Sequence, residues 1–314
     1  MLTKFSRLLV IRFAWTSICF FLLAASAHAQ AEINLKGAID FRVHSAPDSN
    51  DRSIDADDVA QLAKDAGMRA IVLKNHWETT ATLAYEVRKH VPGIEVFGGV
   101  VLNNAMGGIN LDAIQHMAAL KGGYGKVVWM PTFDSENFLK KSGDKRPPVV
   151  VSKEGHLLPE VVAVIDFIAK NPQLVLETGD VSADEGVMIV HEAHQRGVRH
   201  IVVTNPRGIF PDWTEEQMKQ AAADGAYLEF IYNAIIGSHP QRSIAEYAAN
   251  IRHMGPEHCV LGTDMGSAGP NAPKFFHPEG LLKFMQALQQ QGFTVAEINT
   301  MAKTNPAIAL GLAP

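Results

Sequence analysis

The chain has 314 residues, 47% hydrophobic and 19% charged, with no low-complexity tract, which excludes a disordered, collagen-like or coiled-coil protein. Lys+Arg 28 against Asp+Glu 33 gives a net charge of −5. No basic residues cluster, so a nucleic-acid partner is not expected.

In chain order, the first feature is a secretory leader. Lys4, Arg7 and Arg12 come before an apolar run over 13–25, and Ala27-His28-Ala29 follows it. The run is shorter than the ~20 residues a membrane span needs. Cleavage after Ala29 is therefore expected, with a mature domain over 30–314 that is exported, periplasmic in a Gram-negative cell, and free of the membrane. Removing 29 of 314 residues leaves 285, and the loss of three cations carries the net charge from −5 to −8. Cys19 leaves with the leader, so Cys259 stands alone and no internal disulfide can form despite an oxidising destination.

The mature sequence then repeats one pattern. A first strand is expected over 38–44, followed by short unalternating apolar runs at 70–73, 94–102, 127–130, 174–176, 201–203, 227–232 and 259–261. Such runs read as strands buried on both faces. Helical spacing separates them. Ser182 with Glu185, Thr214 with Gln217, Ser243 with Glu246 and Thr294 with Glu297 each have the capping-box spacing, and Gly67, Gly197, Gly225 and Gly292 stand where left-handed helix ends are expected. Eight strand–helix units in 285 residues match a (β/α)8 barrel, an α/β fold whose usual size is about 250 residues. A doubly wound open sheet is the alternative, but it wants a glycine-rich loop after its first strand and Ser45-Ala46-Pro47-Asp48 is not one. The polar stretch 133–157, with Pro147-Pro148 and Val149-Val150-Val151, reads as an insertion after strand four that forms a small hairpin over the barrel mouth.

Barrels carry their sites at the C-terminal ends of the strands. Here those ends hold Asp40, Arg42 and His44; Lys74 and His76; Asn103 and Asn104; Thr132; Glu177 and Asp180; Asn205 and Arg207; Glu229 and Asn233; and Thr263 and Asp264. Strand alternation puts Asp40, Arg42 and His44 on one face. His44 and His76 read either as site residues or as hydrogen-bonded core histidines. Lys74 either anchors an anionic substrate or pairs with Glu177. His239 and His277 lie in the loops after strands seven and eight, within reach of a substrate, and Phe275-Phe276 either walls a lid or packs on the barrel. Cys259 opens an apolar run and reads as a small buried hydrophobe.

The motifs Asp-Phe-Arg-Val-His-Ser-Ala-Pro at 40–47, Thr263-Asp264 and Asn305-Pro306-Ala307 resemble the amidohydrolase superfamily of metal-dependent hydrolases. Leu73-Lys74-Asn75-His76, Trp129-Met130-Pro131-Thr132 and Glu177-Thr178-Gly179 resemble a little-characterised bacterial group within it. The resemblance spans nearly the whole mature chain. It implies a metal site built from a His-x-His pair on strand one, a His after each of strands five and six, and an Asp on strand eight. Arg42, Asp180 and Asn205 stand where three of those histidines would be, and only His44 and Asp264 match. Guanidinium has no lone pair to give a metal. Either Arg42 supplies the positive charge itself, pairing with Asp180 or Asp264, or one divalent metal such as zinc is held on His44, Asp264 and Asp180.

The leading expectation is an exported hydrolase of an amide, ester or lactone bond in a small, anionic molecule. Asp264, His44 and Lys74 are its catalytic candidates, and Arg42, His76, Arg207 and His239 its substrate-binding ones. The alternatives are a non-catalytic binder of a small ligand and a metal-independent lyase or decarboxylase. Self-association into a homo-oligomer is compatible with any of these.

Overall fold

The computed structural model describes residues 32–208, 210–236, 240–269, 272–273 and 276–314. The leader over 1–29 and His239 lie outside the described residues. Among the described residues there are ten strands: β1 (Ile39–Val43), β2 (Ala70–Leu73), β3 (Glu95–Val101), β4 (Gly125–Trp129), β5 (Ser152–Lys153), β6 (His156–Leu157), β7 (Val175–Glu177), β8 (Ile201–Val203), β9 (Tyr227–Ile231) and β10 (Cys259–Gly262). Eight of them form one sheet in the order β1-β2-β3-β4-β7-β8-β9-β10, and every paired neighbour is parallel. Sequential order without reversal rules out the doubly wound alternative, which needs a switch point. The ring is drawn shut where Asp264 N donates to Arg42 O at 3.0 Å and His44 N to Met265 O at 2.9 Å. The fold is a (β/α)8 barrel.

Two apolar cores follow from strand alternation. Ile71, Leu73, Val96, Val128 and Leu176 face the helices, in a core shared with apolar residues such as Val59, Val164 and Phe284. Ile39, Phe41, Val72, Phe97, Val127, Trp129, Val175 and Val260 fill the barrel, with Ala307 and Leu310 from the C-terminal segment. That segment lies at the N-terminal end of the strands: Lys126, near the start of β4, donates to Leu310 O at 3.1 Å, and Arg69, just before β2, donates to Ala313 O at 2.6 Å. All four expected capping boxes form, at Ser182, Thr214, Ser243 and Thr294. Each satisfies helix amides that would otherwise be orphaned. Among the described residues, no helix is long and apolar enough to cross a membrane.

The insertion over 133–157 carries the expected small hairpin, the β5–β6 pair; a short helix covers Glu136–Ser142, and Val149 and Val151 are buried. One departure bears on the site. The β1–β2 register shifts between Asp40 and Val43, so strict alternation breaks there. Phe41 sits in the barrel core, Arg42 also reaches the interior carboxylates, and Val43 turns to the helices.

Candidate active site at the barrel mouth

The ends of β1, β2, β7, β8 and β10 open into a cavity of about 440 Å³, lined by Arg42, His44, Lys74, His76, Asp180, Asn205, Asn233 and Asp264 among others. At its base lies a buried cluster centred on one guanidinium. Arg42 Nε donates to Glu229 Oε1 at 3.2 Å, and its Nη2 pairs with Glu229 Oε2. Glu177 Oε2 is 3.7 Å from Nη2, and Asp264 Oδ1 is 3.6 Å from Nη1. Glu177 takes a further hydrogen bond from Thr204 at 2.9 Å. Burial pushes its carboxyl pKa up, and Arg42 and Lys74 oppose that rise. Arg42 thus binds acids from three other strand ends, with Glu229 its principal partner.

Asp264 follows β10 with φ of 54°, a left-handed backbone that only a rigid surround holds for a non-glycine residue. Asn205, after β8, has φ of 38° and accepts from the Tyr247 hydroxyl at 3.1 Å. The Asp264 side chain is 20% exposed. Burial works against its charge, but the His44 hydrogen bond and the Arg42 charge prevail and hold its pKa well below the ordinary carboxylate range. His44 is fixed from both sides. Nδ1 lies 2.5 Å from Lys74 O, and Nε2 lies 3.1 Å from Asp264 Oδ1. A carbonyl only accepts, so Nδ1 carries hydrogen; the Nε2–Asp264 contact is a hydrogen bond only when the pair holds one further proton, and without it the Nε2 lone pair faces the carboxylate. Burial pushes the ring's pKa down to about 4, against the pull of Asp264.

Lys74 continues the inward face of β2 and is 1% exposed. Burial, then the neighbouring Arg42 charge, lowers its pKa to about 8. His76 Nδ1 and the Thr132 hydroxyl are hydrogen-bonded at 2.9 Å, and that hydroxyl also accepts from Asn103 at 2.9 Å. Phe133 stacks on the His76 ring at 3.6 Å, followed by Phe138 and then Phe210, at 4.8 Å and 4.3 Å. The cavity therefore has a charged floor and an aromatic wall. Asp180 completes the floor, its pKa raised by burial.

Other expected residues are placed elsewhere. Arg207 turns away from the cavity to Asp212 at 2.9 Å and the Trp213 carbonyl at 2.7 Å. Asp40 is occupied by the Thr263 hydroxyl at 2.6 Å and the Thr263 amide at 2.9 Å; burial still lifts its pKa to about 7. His277 begins the helix His277–Gln290, fully buried and away from the lining. Phe276 is 42% exposed, and Phe275 lies outside the described residues. Three contributions went unread in the sequence: the Glu229 pairing, the aromatic wall, and Asn50, Asp51 and Arg52 from the loop after β1. The one available signal was Glu229 itself, an acid in the otherwise apolar run 227–232.

The donor set does not fit a metal ion. Among the described residues no three His, Cys, Asp or Glu side chains are grouped to hold one, and His44, Asp264 and Asp180 form no such group. Arg42 holds the carboxylates instead.

Residues 37–229 match a family of unknown function, DUF6282. The chain belongs to that family. Among solved structures, it is similar to an organophosphorus hydrolase from Deinococcus radiodurans, at TM-score 0.60 and 14% identity over 89% of this chain and 93% of that one. A mutant of a phosphotriesterase-like lactonase from Deinococcus radiodurans also has TM-score 0.60 and 14% identity, over 89% of this chain and 97% of its own. At that identity the likeness shows the fold. No curated protein sequence matches the chain.

Proposed function

We propose that this DUF6282 member is an exported hydrolase that opens an ester, lactone or amide bond in a small, anionic molecule without a catalytic metal. The His44–Asp264 pair carries the reading. Neutral His44 and ionised Asp264 together take the proton of an attacking water into the gap between Nε2 and Oδ1. The imidazolium so formed has an acceptor on each side, Lys74 O and Asp264 Oδ1. Ionised Asp264 stabilises it, and charged Lys74 stabilises the negative oxygen that develops on the substrate. Arg42 supplies fixed positive charge behind Asp264. The aromatic wall favours a substrate with an apolar substituent. The names of the neighbouring folds, lactonase and organophosphorus hydrolase, favour the same reaction class.

The test is turnover of lactones, aryl esters, amides and a phosphotriester by chelator-treated mature protein and by Asp264→Asn. Wild type should turn over at least one class with chelation immaterial, and the variant should lose about 10²–10⁴-fold in rate while keeping its fold. Activity of the variant within a few-fold of wild type would remove Asp264 from the chemistry, and a wild type inert towards all four classes would favour the non-catalytic binder. Export is proposed on the leader pattern alone. Mass spectrometry of the secreted form should find Gln30 as first residue.

A further inference from the structure

Lys74 differs from the other cations of the cavity, Arg42 and Arg52, which both pair with acids. Its Nζ makes no hydrogen bond or ion pair with any described residue, and it stands 6.0 Å from the Trp129 ring centroid. The side chain is fully buried, yet it lines the cavity. Of the carboxylates around it, Glu177 and Asp264 face Arg42, and Asp264 also meets His44; Asp180 lines the same cavity but makes no ion pair with Lys74, and its charge only partly offsets the effect of burial. A buried ammonium without an ion-pair partner, beside a second cation, is biased towards free amine, the activated form of a lysine nucleophile. Phe133, Phe138 and Phe210 form the wall of the same cavity.

We propose that Lys74 is a covalent centre: its Nζ condenses with the carbonyl of a small ketone or aldehyde bearing an apolar substituent, which rests on the Phe133–Phe138–Phe210 wall. The nitrogen lone pair attacks the carbonyl carbon and the C=O π pair moves onto oxygen. The two hydrogens of the amine pass to that oxygen, with Asp180 and Asp264 as carriers on the cavity side, and it leaves as water. One C–N double bond replaces one C–O double bond, and no oxidant or reductant takes part. This activity goes beyond the hydrolytic reading and does not depend on it. The two need opposite states of one group, since hydrolysis uses the ammonium and imine formation the amine.

The experiment is reductive trapping. Full-length mature protein is incubated with phenylacetone or benzaldehyde and sodium cyanoborohydride, digested, and mapped by mass spectrometry. Lys74 should be modified about tenfold or more faster than an exposed lysine such as Lys140, since exposed amines near the ordinary pKa of about 10.4 stay charged at pH 7.5. The rate at Lys74 should rise as pH passes through 8. Phenylacetone should be trapped faster than acetone, and a Phe138→Ala variant should erase that preference. Lys74→Met should lose the adduct at that position and leave the exposed lysines labelled as before. Modification of exposed lysines alone, or equal rates at Lys74 and Lys140, would overturn the proposal. Ester turnover without trapping would overturn the covalent role alone, and trapping without turnover would overturn hydrolysis alone.

Discussion

His44 and Lys74 are each displaced from their ordinary pKa by burial, in a direction that favours the neutral form. The hydrolytic reading needs His44 unprotonated and Lys74 protonated. Activity should therefore rise with pH through about 4 and fall through about 8, a bell read from kcat/KM between pH 3 and 10. A single-limbed profile would mean that one of the two plays no part. Lys74 also has a consequence for stability. The folded chain holds its proton less tightly than the unfolded chain, so between about 8 and 10.5 the unfolded state binds more protons. Stability should rise with pH across that window, and below it the full cost is present. Lys74→Met should raise stability at pH 7 by on the order of 3 kcal/mol, from a shift of 10.5 to about 8 at 1.36 kcal/mol per unit. Urea denaturation at pH 7 and pH 10 checks both signs. The charged floor could be named from the sequence because its residues end apolar runs: Arg42, His44, Lys74, His76, Asp180, Asn205 and Asp264 all face the cavity. Arg207 also ends a run, but its direction depends on the return of the following loop to Asp212. Strand alternation carries no information about that path.

At the level of elements, local rules were more legible than long-range ones. The four capping boxes were readable because each involves a spacing of three residues along one chain segment. The pairing of Arg42 with Glu229 crosses 187 positions and requires knowing which strands face each other through the barrel. The register shift in β1 was equally hidden, since an extra residue in a strand leaves little trace in an apolar pattern. One loop glycine is decisive for the site. Gly266 has φ of 115°, and a Cβ there would overlap the His44 carbonyl. Gly266→Ala should cost about 1–3 kcal/mol through the backbone alone. It should also shift His44 against Asp264, so the loss of activity should exceed what Tm explains; full activity in a folded variant would show that the β1 end tolerates the displacement.

Across the whole molecule, the barrel has a polar spoke as well as an apolar fill. Arg42 on β1 holds Glu177 at the end of β7, Glu229 on β9 and Asp264 after β10. Arg42→Met should destabilise by about 3–5 kcal/mol at neutral pH, because the acids left behind are buried and unpaired. The deficit should shrink in acid as those carboxyls take protons, and thermal melts at pH 7 and pH 5 measure the difference. A deficit equal at both would place the loss in packing. The (β/α)8 architecture itself was legible because eight buried strands of similar length, each followed by a helix, leave few ways to close a sheet. Cys259, read as a buried hydrophobe, is a buried free thiol, and burial pushes its pKa up.

The placement of the C-terminal segment matters for anyone who wishes to hold this protein on a surface. Ala307 and Leu310 plug the barrel from below, and Arg69 and Lys126 fasten that plug, while the cavity opens at the opposite ends of the strands. Pro314 is exposed just beyond the plug. A linker attached there leaves from the face opposite the mouth, so a tethered monolayer would present its cavities outward to the passing solution.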